Sequence, residues 1–328
     1  DTFTVVLDAE PNSDVVLTIS SDDTGEATVT NALTFSSANW DTPQTITITG
    51  ADESILDGNQ DTTITVTIDD ANSDNNFDSV ADQTISATTT DDDVAGFTIV
   101  ESDGSTEVAE SGTTDTFTIV LDAQPSSNVV VAMSSSDTGE ATLSGTITFT
   151  SANWDTPQTV TVTGVDENII DGNQSSTVTI TVVDSISDND FSGVADQTVS
   201  ATTTDDDVAG FTIVQSEATT EVAESGTADT FTVVLDAEPT SDVVLTISSD
   251  DTGEATVNSP LTFTSANWDT PQTITVTGVD DDLIDGDIVS TVTVVVDDAN
   301  SNDDFDAVAD QTVSVTTTDD DVAGFTIV

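Results

Sequence analysis

The string DDDVAGFTIV begins at Asp91, Asp205 and Asp319, and DTFT begins at Asp1, Asp115 and Asp229, each spaced by 114 residues. SANWDTPQT recurs with the same period at 37–45, 151–159 and 265–273. Three copies therefore run in register without insertion or deletion. Fixed-period self-similarity marks one structural unit used repeatedly. A period of about 114 residues suits a β-sandwich and exceeds a single solenoid repeat.

Within the middle copy, apolar residues alternate with Thr in short runs: Gly96–Val100, Asp115–Leu121, Val129–Met133, Thr146–Phe149, Thr159–Thr163, Thr177–Val183 and Gln197–Thr203. Turn signals separate them, at Gln124-Pro125-Ser126, Asp137-Thr138-Gly139, Asp171-Gly172 and Ser187-Asp188-Asn189. Seven short strands rich in Val, Ile and Thr predict an all-β chain of tandem immunoglobulin-like antiparallel β-sandwiches. No window combines helical periodicity with capping signals, so helix content should be very low. The period places copies at 1–94, lacking a first strand, at 95–208 and at 209–322, with 323–328 as the first strand of a further copy. Two arrangements satisfy these boundaries. The chain is a window on a longer polymer, or the terminal strand Gly324–Val328 completes the unfinished sandwich of another chain by donor-strand pairing. The first requires only a continuous chain, and both give a fibre.

The 328 residues include 64 acidic side chains and no Lys, Arg or His, for a formal charge of −64. No side chain can neutralise that charge. Screening over about 8–10 Å quiets distant charges, but two carboxylates about 4 Å apart repel by roughly 4 kcal/mol at an effective dielectric of 20. Acidic clusters in a folded form therefore need external cations or a very open spacing. The composition also excludes functions. Nucleic acid wants Lys and Arg, anionic membrane surfaces repel the chain, and no apolar run reaches the length of a spanning helix. Without Cys there is neither a disulfide framework nor a thiolate metal site, and without His and Lys neither triad nor Schiff-base catalysis. High charge with few aromatics is a signature of disorder, but alternating strands have a face to bury and argue for a folded chain.

Acidic residues recur at fixed places relative to the strands. In the middle copy these are Glu110 after the first strand, Asp137 after the third, Asp166, Glu167 and Asp171 after the fifth, and Asp205, Asp206 and Asp207 at the end. Alternate loops of a sandwich gather at one end, so the four loops can converge on one pole, from which the Asp triplet leads into the next copy. Calcium takes six to eight oxygen ligands and tolerates irregular geometry, and eight acidic side chains suffice for more than one ion; magnesium demands stricter octahedral geometry. A single acidic loop would read as a solvated surface, but four in register point to calcium.

The order E-S-G … S-D-T-G-E-A … V-D-E-N-I-I-D … T-D-D-D-V-A-G resembles the Calx-β domain family, calcium-binding sandwiches of sodium/calcium exchangers, integrin β4 and large bacterial surface proteins. The resemblance covers essentially each whole copy and implies calcium ligands at the eight middle-copy positions named above. It implies Glu224, Asp251, Asp280, Asp281, Asp285, Asp319, Asp320 and Asp321 in the third copy. In the first it implies Asp23, Asp52, Glu53, Asp57, Asp91, Asp92 and Asp93. Two departures stand out: position 168 is Asn, with Ser54 and Asp282 as its equivalents, and Asp171 is shorter than the Glu often found there.

A second acidic loop, Asp70 to Asp78, has alternate-residue spacing, but Ile186 and Ser192 replace Asn72 and Asp78 in the middle copy. It reads as a polar hairpin loop anchored by Phe77, Phe191 and Phe305. Trp40, Trp154 and Trp268, one per copy beside a strand, read as core plugs before sugar platforms. Asn173-Gln174-Ser175 is the only N-glycosylation sequon, and Thr-rich clusters such as Thr202-Thr203-Thr204 are candidates for O-linked sugar.

Together these features predict a structural, non-enzymatic region of an extracellular fibre or cell-surface adhesin stalk, rigidified by calcium at its junctions, with more than one ion per junction. Its partners would be calcium, further copies of the repeat in one long chain or a filament, and glycans. The alternative is a secreted protein that binds or hydrolyses carbohydrate through paired carboxylates. A halophile's solvated surface would explain the acidity but not its placement in register.

Overall fold

The computed structural model describes residues 1–30 and 32–327. The first copy contributes β1 (Thr2–Val5), β2 (Val15–Ser21), β3 (Ala27–Val29), β4 (Ala32–Phe35), β5 (Gln44–Gly50), β6 (Gln60–Ile68) and β7 (Gln83–Thr89). The middle copy contributes β8 (Phe97–Glu101), β9 (Thr106–Ala109), β10 (Thr114–Leu121), β11 (Val129–Ser135), β12 (Ala141–Leu143), β13 (Ile147–Phe149), β14 (Gln158–Gly164), β15 (Gln174–Val182) and β16 (Gln197–Thr204). The third repeats that set as β17 (Phe211–Gln215), β18 (Thr220–Ala223), β19 (Ala228–Leu235), β20 (Val243–Ser249), β21 (Ala255–Val257), β22 (Leu261–Phe263), β23 (Gln272–Gly278), β24 (Ile288–Val296) and β25 (Gln311–Thr318). Only single 3-10 turns accompany them among the described residues, none long enough to cross a membrane as a helix.

Each complete copy is a two-sheet, immunoglobulin-like sandwich. In the middle copy the sheets run β12-β14-β10-β8 and β13-β11-β15-β16-β9, and the third copy repeats both orders. The strands alternate because one face of each sheet is buried. Phe117, Ile119, Val160 and Val162 of one sheet meet Val129, Val131, Val178 and Ile180 of the other, all buried. The Thr residues between them fill the outer faces, where a β-branched polar side chain fits the pleat. Trp154 packs at the rim of this core, and its carbonyl accepts the Leu121 N–H at 3.1 Å, as Trp268 does with Leu235.

Two strands per complete copy go beyond the seven legible in the sequence. β12 is a three-residue pairing with β14. β9 runs parallel to β16, Thr106 opposite Ala201 and Ala109 opposite Thr204, in an otherwise antiparallel sandwich. The first copy has sheets β1-β5-β3 and β4-β2-β6-β7, with no equivalent of β8 or β9 among the described residues. At the other end, residues 319–327 form no strand, and Val328 of the expected terminal strand lies outside the described residues.

Successive copies touch through the loop after the fifth main strand. Ile55 bridges Gln124 and Ile169 bridges Glu238, both in parallel sense. The Leu56 and Ile170 N–H groups donate to the carbonyls of Gln124 and Glu238 at 3.1 and 3.2 Å. Leu56 packs on the middle core and Ile170 on the third.

Candidate metal centres

The loops predicted to converge do so, and backbone bonds fix where each acid stands. After β9 the chain turns sharply through Glu110-Ser111-Gly112, with Gly112 at φ +82°, a conformation costly for other residues. The Gly112 N–H bonds the Ala109 carbonyl at 3.0 Å, and the Ala109 N–H bonds Thr113 Oγ1 at 2.7 Å. This turn lies flat against Gly164, where an added Cβ would collide with the Ala109 backbone. Glu110 is thereby held between the two sheet ends, its N–H on the Thr204 carbonyl. The Glu140 carbonyl accepts from Val165 N–H at 2.9 Å and Thr203 Oγ1 at 3.3 Å, which ties the third loop to the fifth strand and the last. Asp205 closes the ring. Its Oδ2 accepts from Gly172 N–H and its Oδ1 from Asp207 N–H, both at 2.8 Å. Asp91 and Asp319 make the same two bonds in their copies.

The side chains that result form overlapping groups. Glu110, Glu140, Glu167 and Asp171 each bring an oxygen within 4.8 Å of the others, and Glu110, Asp205 and Asp207 form a second group. The third copy repeats these as Glu254, Asp281 and Asp285, and as Glu224, Asp319 and Asp321. The first has one, Glu26, Glu53 and Asp57. The exposed Asp52, Asp92, Asp166, Asp206, Asp280 and Asp320 belong to no such group. Asp91, Asp93, Asp52 and Asp92 nonetheless line the same cavity of about 410 Å³ as Glu26, Glu53 and Asp57.

Glu26, Glu140 and Glu254 were not among the residues singled out in the sequence. Each is the Glu of the D-T-G-E stretch whose Asp the resemblance points to. Asp137 spends Oδ1 on the Gly139 N–H at 2.9 Å, closing its own turn, and that turn delivers Glu140 to the cluster. Asp23 and Asp251 do the same through Gly25 and Gly253. The available signal was the motif's geometry: an Asx-type turn occupies its Asp and aims the residue three places on.

Burial sets the electrostatics. Glu110 is 0% exposed, and neither carboxylate oxygen has a hydrogen-bond partner. Burial and then the charge of Asp205 raise it to about 7, with the nearby Asp206 N–H offsetting only part of the rise. Glu167 is raised to about 6, by burial and then by Asp171. Asp207 is raised by burial and then Asp205, and Glu140, Glu224 and Glu254 by burial first. Buried oxygens without partners include both of Glu110 and one each of Glu140, Glu167 and Asp207 in the middle copy, and one each of Glu224, Glu254 and Asp321 in the third. Buried polar atoms are otherwise almost always bonded, and carboxylates 4.8 Å apart repel by about 3–4 kcal/mol at a dielectric of 20. An all-oxygen, irregular, highly charged donor set with orphaned atoms fits a calcium ion and fits no softer metal.

The second acidic loop has another role. Asp188 Oδ2 accepts from Ser127 N–H at 2.7 Å and Ser126 Oγ at 2.9 Å, and Oδ1 from Asp190 N–H. Asp74 is satisfied by Asn12, Ser13 and Asn76, and Asn302 stands at the same place in the third copy. An Asn can replace this Asp because the group pins a loop, with Phe191 and Phe305 buried beneath it.

No protein-family model and no curated protein matches the chain. Among solved structures it is similar to domains 4–9 of the surface layer protein SbsC, at 19% identity and a TM-score of 0.29, covering 92% of this chain and 39% of that one. It therefore spans well under half of that SbsC fragment. It is also similar to the calcium binding domain CBD12 of CALX1.1, at 14% identity and TM-score 0.26, covering 60% of this chain and 79% of the other. A third likeness is to the I-band fragment I67–I69 of titin, at 9% identity and TM-score 0.30, covering 97% and 98%.

Proposed function

We propose that the chain is a structural repeat region of an extracellular fibre or cell-surface stalk, in which calcium at the acidic pole of each copy stiffens the junction with the next. The copies are taken as 1–94, 95–208 and 209–322, with 323–328 beginning a further one. One observation carries the reading: Glu110 is buried with both carboxylate oxygens unpartnered, beside other carboxylates, in a chain without a single basic side chain. Glu110, Glu140, Glu167, Asp171, Asp205 and Asp207 would hold the ion or ions of the middle pole. Glu224, Glu254, Asp281, Asp285, Asp319 and Asp321 would hold those of the third, and Glu26, Glu53 and Asp57, with Asp91 and Asp93 nearby, those of the first. When bound, calcium supplies the positive charge the sequence lacks. The protein's own residues do the rest: loop 166–171 carries Glu167 and Asp171 together with Ile169 and Ile170, which contact the next copy. Ordering the acids therefore orders the contact. No catalytic role is assigned to the carboxylates.

The test compares melting and solution dimensions in calcium with those at equal ionic strength in sodium. Calcium should raise the melting temperature and lengthen and narrow the small-angle scattering profile. If calcium and sodium give the same melting and the same maximum dimension, the reading fails.

A further inference from the structure

The 64 acidic side chains are not spread evenly over the sandwiches. On the sheet β12-β14-β10-β8 the inward positions bury Phe117, Ile119, Val160 and Val162, and the strand period turns the residues between them outward. Every outward position of β10, β12 and β14 is Thr or Val, and β8 adds Thr98 and Val100. Register sets them in rows: Thr161 stands beside Thr116, and Thr159, Thr118 and Val100 follow. The third copy repeats these rows with Thr275 and Thr230, then Thr273, Thr232 and Val214. In the first copy β1, β3 and β5 turn only Thr outward. Among the described residues, no outward strand position of this sheet is acidic in any copy. Strands disfavour Asp in general, but that does not account for the difference between the two sheets. The opposite sheet of each copy turns an acid outward: Asp61 on β6, Glu107 on β9 and Glu221 on β18, all exposed.

The face is also less polar than its composition implies. Thr118 Oγ1 and Thr142 Oγ1 donate to the carbonyls of Val100 and Thr163 at 3.4 Å, and Thr232 and Thr256 do the same with Val214 and Thr277. These hydroxyls are satisfied within their own sheet, so covering them costs little. Val100 and Val214 are 57% and 56% exposed at equivalent places. Asp122 marks the rim, just past the end of β10, and accepts the Thr98 hydroxyl at 2.8 Å, as Asp236 does with Thr212.

We propose that this face is an interface with a second copy of this chain, the two sheets packing face to face so that two chains lie side by side. The charge pattern selects the occupant. A partner with the same charge of −64 is repelled by the acidic poles, and here two copies meet without a carboxylate between them. A cationic partner would favour the poles instead, and the face carries no aromatic ring on which a sugar would stack. Identical patches suit a two-fold contact, and facing sheets interdigitate their side chains at a spacing of about 10 Å. Four strands about 4.8 Å apart and about seven residues long make a face of roughly 400 Å². A standard interface takes about 800 Å² from each partner. One copy therefore pairs weakly, and tandem copies add to it as linked sites. The contact goes beyond the fibre reading and requires no ion.

Sedimentation equilibrium of the 328-residue chain over a concentration series tests it, in dilute and in about 1 M sodium chloride, with and without calcium. Association should be reversible and should strengthen by ~10-fold or more at the higher salt, because a Debye length of about 3 Å removes the repulsion between poles and leaves the uncharged face as it was. Thr116→Asp combined with Thr230→Asp should weaken association by ~10-fold or more. The same change on the opposite sheet, Thr177→Asp with Thr291→Asp, should leave it unchanged and controls for loss of fold. Thr116→Val with Thr230→Val keeps the strand preference and should strengthen association. A chain that stays monomeric in high salt at every concentration, or Asp variants that associate as the parent does, would overturn the proposal. So would association that needs calcium at both salt concentrations, since ions bridging the poles would then join the chains. If melting ignores calcium while pairing in high salt persists, the metal reading fails and the interface stands.

Discussion

The poles of the first and middle copies share Asp, Glu and Gly at equivalent positions, yet they are different environments. In the middle copy the turn after β9 drops Glu110 between the sheet ends and shields Glu140, Glu167 and Asp207. In the first, nothing among the described residues stands in that place: Gly50, the equivalent of Gly164, faces only Thr89 Cγ2 at 3.6 Å, and the acids line an open cavity. No carboxylate oxygen of the first pole is both buried and unpartnered among the described residues. The same charges repel weakly when water reaches them and strongly when it does not. The segment of β9 and the turn that follows it therefore separates a solvated acidic surface from a site that demands a cation.

Four experiments press on that contrast. Chelation should have the largest effect: removing calcium should lower the melting of the middle and third copies by ~10 °C or more, and of the first by less. Calorimetry with resolved transitions checks this, and equal shifts in all three copies would break the comparison. Next, Gly164→Ala should push the Glu110 turn off β14 without touching a carboxylate and weaken calcium binding by roughly 10- to 100-fold, the range for groups that orient ligands. Gly50→Ala should do little, and calcium titration calorimetry of both variants makes the pair decisive.

The third concerns pH without metal. Glu110 stands at about 7 in the folded chain against an ordinary 4.5, so between those values the folded state binds more protons than the unfolded one. Stability of the metal-free chain should therefore fall as pH rises from about 4.5 to 7 and level off above, and Glu110→Gln should flatten that slope. With calcium bound the slope should reverse, because the ligands must be deprotonated. Urea denaturation at several pH values measures both. The smallest effect is expected from Asp188→Asn, at about 1 kcal/mol or less, with calcium binding unchanged, since Asn302 at the same place in the third copy still pins its loop, its Oδ1 accepting the Asp304 N–H and its Nδ2 donating to Thr240 Oγ1.

Much of this was legible beforehand. The 114-residue register shows the repetition, and period-two alternation located seven strands in each complete copy and six in the first. β12 escaped because its three residues follow directly on the D-T-G-E turn, which masks them as loop, and β9 because it makes a parallel pairing that alternation does not announce. At the poles, counting acids found the loops but not which acids face inward. Asp137 and Glu140 sit three residues apart in one motif, and only the turn closed on Gly139 decides that Glu140 joins Glu110. Exposed acids such as Asp206 and Asp280 carry the same charge in the sequence as the buried ones, and nothing in composition distinguishes them.

The parallel pairing of β9 with β16 also determines how a copy carries tension. The chain enters each complete sandwich through β8, passes straight into β9 and leaves at the end of β16, so once β8 is drawn off β10, pulling on the two connections drags β9 and β16 past one another lengthwise. The four pairs from Thr106–Ala201 to Ala109–Thr204 are then loaded at once, in shear, and must yield together. An antiparallel edge opened from one end would instead surrender its bonds one at a time. Complete copies should act as mechanical clamps, each giving its own force peak in single-molecule pulling.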